Sequence, residues 1–202
     1  MSEEKSWGHF YEGSGDIDYY NRHVEIHRPF LERVLSFKPK RILEAGCGSG
    51  IMSIFFSEQG IESVAVDRDE TILRHAVETN IKLGGKAVFR RADIFGLDFK
   101  DDEFDAVFSQ GVLEHFEDDR IRAAMKEALR VAPRVWVSVP SKYYNHKDFG
   151  DERLLSSGEW REILEPVGEV KTDYYYFIRV KRNFLLKRPL MLMIEVGRRG
   201  VR

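Results

Sequence analysis

Three glycines on alternate positions, Gly46, Gly48 and Gly50, follow an apolar run and a carboxylate in Arg41-Ile-Leu-Glu-Ala-Gly-Cys-Gly-Ser-Gly50. Glycine has no Cβ and tolerates positive φ, so such a loop lets a ligand approach bare backbone. Ile51, Met52, Ile54, Phe55 and Phe56 come next and read as the first turns of a helix. A strand, a glycine turn and a helix N-terminus together make a nucleotide-sized site. A dinucleotide fold would use G-x-G-x-x-G; here Ile51 holds the place of the third glycine. Glu44 beside the loop would repel a pyrophosphate and suits a ligand carrying sulfonium and ammonium groups instead.

Two further carboxylates stand where strands end. Asp67 lies about twenty residues past the loop, where an acid can accept hydrogen bonds from both hydroxyls of a ribose. A helix cap is its plainer reading, and the spacing from the loop favours the ribose. Asp93 follows the third apolar run. It can accept from an exocyclic adenine amine while Ile94 packs on the ring; alone it would read as a turn residue.

These groups need elements to hold them. An N-terminal helix is expected over Asp18 to Ser36, with Val24, Phe30, Leu31 and Val34 on one stripe. Strands are expected at Arg41 to Ala45, Ser63 to Val66, Ala87 to Arg90, Phe104 to Phe108 and Val135 to Val139. Helices fall between them, about Gly50 to Glu58, Glu70 to Leu83 and Arg120 to Arg130. Gly84-Gly85 supplies a stop signal after the second of these. A helix near Ser157 to Leu164 precedes two late strands, about Glu169 to Val180 and Leu190 to Val196. Strands alternating with helices at this rhythm predict an α/β fold, a mostly parallel sheet covered on both faces. Its ligand would sit beyond the carboxyl ends of the strands, near the switch point of strand order.

Composition sets the frame. The 202 residues are 43% hydrophobic, enough for one domain with a sizeable core. A formal net charge of -2 gives no global reason to expect nucleic acid. The single cysteine, Cys47, rules out an intrachain disulfide framework and fits a reducing compartment. No apolar run approaches the roughly 18 residues of a membrane span, and the acidic N-terminus (Ser2, Glu3, Glu4) is unlike a signal peptide. A soluble, cytoplasmic protein is expected. The C-terminal segment is basic through Arg179, Lys181, Arg182, Lys187, Arg188, Arg198, Arg199 and Arg202, against Glu195 alone. A solvated strand and tail is the plain reading; a phosphate-bearing, nucleic-acid or membrane-surface partner is the alternative.

With these pieces in order, the chain resembles the class I S-adenosylmethionine-dependent methyltransferases, in the broad group of small-molecule and quinone-biosynthesis enzymes. The resemblance covers roughly Arg41 to Pro140. It rests on Leu43-Glu-Ala-Gly-Cys-Gly-Ser-Gly50, Val66-Asp67, Ala92-Asp93 and Phe104-Asp-Ala-Val-Phe-Ser-Gln-Gly-Val-Leu-Glu-His-Phe116. It implies a Rossmann-like sheet of seven strands with the last one antiparallel. The implied organisation is one domain over 1–202: an N-terminal helical lid (1–40), a cofactor-binding core (41–140) and an acceptor side (141–202).

The cofactor would be S-adenosylmethionine and its product S-adenosylhomocysteine. By resemblance, Glu44, Gly46, Gly48 and Gly50 would surround the methionine part, with Cys47 a small filler of the loop. Asp67 would bind the ribose and Arg68 pack along the adenine, while Ala92, Asp93 and Ile94 line the adenine pocket. Ser109, Gln110 and Gly111 would face the methionine and sulfonium side. The segment Val112-Leu-Glu-His115 would run toward a small-molecule acceptor. His115 is the candidate base, since an imidazole can take a proton near neutral pH; a histidine that shapes the site is the other reading. Glu114 is read as structural.

His23 and His27 have an i, i+4 spacing that can bind zinc. No Glu-x-x-His pattern or cysteine cluster completes such a site, so no metal is expected. The two histidines, with Tyr11, Tyr19, Tyr20, Tyr143 and Tyr144, are candidates for the acceptor pocket under the lid. Phe149, Tyr174, Tyr175 and Tyr176 would suit an apolar or planar acceptor or equally a packed core. Ser109-Gln-Gly-Val112 stands where amino-methylating DNA enzymes carry D/N-P-P-Y, which argues against them. Methylation of RNA or protein, and a cofactor-binding subunit without turnover, stay open as alternatives.

Overall fold

A computed structural model describes residues 15–144, 150–180 and 183–200. Tyr11, Phe149, Lys181, Arg182 and Arg202 therefore lie outside the described residues. The first described helix, α1 (Ile17–Ser36), starts where Asp16 accepts the Tyr19 N–H at 2.7 Å. It leads into β1 (Arg41–Ala45), α2 (Ile51–Glu58), β2 (Glu62–Asp67), α3 (Glu70–Leu83) and β3 (Val88–Arg91). Then come β4 (Ala106–Gln110), α4 (Asp118–Val131), β5 (Arg134–Pro140), α5 (Ser157–Leu164), β6 (Glu169–Val180) and β7 (Asn183–Gly197). Asp69 caps α3 at its start and Gly84, at φ 72°, closes it. A reciprocal Ser156–Glu159 capping box starts α5.

The strands form one seven-stranded sheet in the order β3-β2-β1-β4-β5-β7-β6. Strands β1 to β5 pair in parallel, and β7 runs antiparallel to both β5 and β6. Strand order reverses at β1, whose neighbours are β2 and β4. A crevice therefore opens past its carboxyl end, where the glycine loop lies. Helices cover both faces. Phe30, Leu31 and Val34 of α1 pack with Met52 and Phe56 of α2 on one face. Ile121 and Met125 of α4 pack with Trp160 and Leu164 of α5 on the other.

Among the element boundaries that differ from the expected ones, two matter for the site. Strand β4 begins two residues late and runs on to Gln110. Phe104 and Asp105 instead make an entry turn, in which the Asp105 carboxylate accepts the Lys40 and Arg41 N–H groups at 2.6 and 2.8 Å. Strand β7 begins well before Leu190. Its first half pairs only with β6, because β5 stops where Pro140 meets Met191. The two late strands thus continue past the sheet as a ribbon on the ligand side.

The basic end is partly spent on the fold itself. Arg198 clasps Asp102 and the Leu129 carbonyl, and Arg199 donates to the Glu165 carbonyl. No helix among the described residues is long and apolar enough to cross a membrane.

Candidate active site

Alternation along the strands decides which side chains reach the ligand side of the sheet. In β1, Leu43 and Ala45 face the α4–α5 layer while Ile42 and Glu44 face α1 and α2. In β4, Val107 and Ser109 share the first face, and Phe108 and Gln110 the second. Glu44 and Gln110 therefore come to one wall from neighbouring strands. Ser109 does not; its hydroxyl is buried and donates to the Ala45 carbonyl at 2.8 Å.

The glycine loop divides in the same way. Gly46 and Cys47 both donate their N–H groups to the Val66 carbonyl at 2.9 Å, locking the loop onto β2. Gly46, Gly48 and Gly50 all have positive φ, of 80°, 50° and 74°. At Gly50 an added Cβ would stand 2.6 Å from the Phe89 ring and 3.2 Å from Ala76. That glycine serves the packing of α2 against β3 and α3 and lines neither cavity described below.

Two cavities open past the carboxyl ends of β1 to β4. The smaller, about 250 Å³, is lined by Gly46, Gly48, Asp67, Arg68 and the Ala92-Asp-Ile94 segment. Sequence reading missed Ile72 and Phe95 in its wall, which sit in a helix and a loop with no motif of their own. The Asp67 carboxylate accepts the Gly48 and Asp69 N–H groups at 3.3 and 3.1 Å. Burial holds its pKa above the ordinary range against these hydrogen bonds. Asp93 accepts the Phe95 N–H at 3.0 Å, so it is a turn residue as well as a wall of the cavity.

The larger cavity, about 400 Å³, lies between α1, the glycine loop, the segment after β4 and the β6–β7 ribbon. Glu44 is 3% exposed and accepts the N–H and hydroxyl of Ser53 at 3.1 and 2.6 Å. Burial pushes its carboxyl up to about 8 in spite of those bonds. Cys47 also lines this cavity, and burial raises its thiol well above the usual value, so it is no thiolate nucleophile. Tyr176, at φ 53°, holds a strained backbone conformation on the same wall.

His23 and His27 both face this cavity, with ring centroids 4.6 Å apart. Burial lowers His23 to about 4 and His27 well below the ordinary imidazole value. His27 Nδ1 lies 2.7 Å from the Tyr175 hydroxyl, which lies 2.5 Å from Ser138 Oγ. These contacts tie α1 to the sheet.

Gly111 and His115 line both cavities, so the two meet there. Gly111 has φ 68°, and a 3-10 turn, Leu113–His115, turns the chain back beside it. His115 Nδ1 lies 2.7 Å from Asp151, and Glu152 offers an oxygen within 4.8 Å of both. Asp151 and Glu152 carry no sequence signal, being more than thirty residues downstream in a segment without a motif.

Residues 42–133 match a family described as "Methyltransferase domain". The ubiquinone biosynthesis O-methyltransferase of Hydrogenovibrio crunogenus is 25% identical over 194 residues, which are 93% of this chain and 76% of that protein. The enzyme of the same name from Hahella chejuensis is 27% identical over 149 residues, 68% of this chain and 62% of its own length. These matches support a class I S-adenosylmethionine-dependent methyltransferase. The fold agrees: the solved PH0226 protein of Pyrococcus horikoshii superposes with a TM-score of 0.69 at 17% identity, covering 94% of this chain and 98% of that one. S-adenosylmethionine is therefore the methyl donor of this methyltransferase.

Proposed function

We propose that this methyltransferase methylates a small-molecule acceptor held in the larger cavity while the adenosine of its cofactor occupies the smaller one. The observation that carries the reading is the meeting of the two cavities at Gly111 and His115. The residues suit the donor chemically. Asp67 offers carboxylate oxygens to the ribose, and Ile72, Ile94 and Phe95 offer apolar surface to the purine. Glu44, Cys47, Gln110 and Gly111 line the part of the larger cavity next to the loop, where the methionine end would lie. Glu44 is a buried carboxyl that the approach of a cation would ionise.

The cofactor supplies a methyl group already activated by a sulfonium. The protein's part is to position the acceptor and exclude water, which can remove on the order of 7–11 kcal/mol from a barrier. α1, with His23 and His27, closes the larger cavity on the side away from the sheet. His115, oriented by Asp151, receives the proton that the acceptor gives up. Relatives named for ubiquinone biosynthesis and for malonyl-[acyl-carrier protein] O-methylation support an acceptor of metabolite type.

Titration calorimetry with S-adenosylmethionine and S-adenosylhomocysteine tests the donor site. Binding of both is expected, and no heat at high micromolar ligand would overturn the assignment of the cavities. Formation of S-adenosylhomocysteine with a metabolite extract then tests turnover. A protein that binds both ligands yet forms none with any extract would be a binding subunit.

A further inference from the structure

Beside Gly111, the larger cavity holds a carboxyl group one of whose oxygens the fold leaves without a partner. Glu114 is 2% exposed, and its Oε2 makes no hydrogen bond. Its Oε1 lies 3.8 Å from where a Cβ on Gly111 would stand, so the group sits at the seam of the two cavities. A buried polar atom left unmatched is destabilising, more so when charged, and calls for a physical explanation.

Its surroundings add negative charge. Glu152, also buried, lines the same cavity, and Asp151 stands beside His115 at its edge. Burial, with the charges of Glu152 and Asp151, pushes the Glu114 carboxyl up to about 8. The nearby imidazoles of His23 and His27 do not offset this, since burial keeps both neutral. Among the described residues that line the cavity, none is a lysine or an arginine. The rings of Tyr19, Tyr144 and Tyr176 add faces on which a cation is favoured over an anion.

We infer that Glu114 is the specificity residue for the acceptor and takes a cationic amine, its ammonium docked against this carboxylate with Glu152 as the second acid. The inference rests on the proposed placement of the acceptor in the larger cavity. A carboxylate or phosphate in the same place would face two buried acids, so anionic acceptors are disfavoured. Glu114 acts on recognition: the approach of an ammonium would ionise it, and a glutamine there keeps the shape while removing the carboxyl that can take that charge.

The test uses the full chain saturated with S-adenosylhomocysteine and three probes of one shape: tyramine, 4-ethylphenol and 3-(4-hydroxyphenyl)propionate. Calorimetry is expected to show tyramine binding at least about tenfold more tightly than the propionate, with the neutral phenol between them. Glu114→Gln should collapse that preference to within about threefold and leave S-adenosylhomocysteine affinity unchanged. Equal binding of amine and acid, no tyramine binding at millimolar concentration, or a preference that survives Glu114→Gln would overturn the inference. So would saturable magnesium or zinc binding that Glu114→Gln abolishes, because the partner of the carboxylate would then be a metal ion. Loss of S-adenosylhomocysteine binding in the unaltered chain would instead overturn the donor site, and the two failures are separate.

Discussion

The carboxylate of Glu44 accepts both the backbone N–H and the hydroxyl of Ser53, fastening the end of β1 to the first turn of α2. Burial outweighs these two bonds and raises the carboxyl to about 8; Glu114 is raised to about the same value. Both groups hold their proton more tightly in the folded chain than in the unfolded one. Their contribution to stability is complete below the ordinary carboxyl pKa of about 4.3 and is lost as pH rises through about 8. Stability in urea of the ligand-free protein is expected to fall from pH 5 to pH 8, by at most about 1.4 kcal/mol per pH unit for each group. The Glu44→Gln, Glu114→Gln double variant should be flatter over that range. A double variant as pH-dependent as the parent would show that other groups govern the acid-to-neutral behaviour.

Asp67 already accepts two backbone N–H groups in the ligand-free fold. Its alanine variant therefore loses the proposed ribose contact and also a brace of the glycine loop. S-adenosylhomocysteine affinity should fall by about tenfold or more, and stability by about 1 kcal/mol. Unchanged affinity in calorimetry would mean that the ribose lies elsewhere.

Gly50 belongs to the packing of the domain. A methyl group there meets Phe89 and Ala76 and must adopt φ 74°. Gly50→Ala should cost about 2–4 kcal/mol of unfolding free energy. Gly50→Ala combined with Phe89→Leu should recover part of the loss, since only the contact is relieved and the backbone strain stays. A single variant as stable as the parent in denaturant would contradict this packing.

Tyr175 links His27 of α1 to Ser138 of β5 in the buried core. Tyr175→Phe should destabilise the chain by about 1–3 kcal/mol, because it leaves a buried imidazole nitrogen without its hydroxyl. A double-mutant cycle with His27→Phe should return a coupling of about 1 kcal/mol. Additive effects would show that the two groups do not depend on each other.

Most of the framework was legible because its signals are local. Arg41–Ala45, Glu70–Leu83 and Ser157–Leu164 fall where their apolar periods, caps and stops place them. The glycine spacing and the acids after strands two and three likewise pointed to the cavity at the carboxyl ends of those strands, where we propose that the donor binds. The limits of β4 and β7 were less legible, because they are set by partners: Asp105 is drawn to the backbone of β1, and the start of β7 to β6.

By itself the sequence determined an alternating α/β chain and a donor, since helix caps, strand periods and a glycine loop act between residues close along the chain. Only the tertiary structure decided which of those residues share a wall. A two-residue period sends Gln110 to the cavity and Ser109 to the core, and Gly50 is needed by Phe89, far from it in sequence. Asp151 reaches His115, and Glu114 is left buried beside Gly111, through folding alone. Burial and charge at a point in space sum over every segment that packs there, and no window of sequence holds that sum.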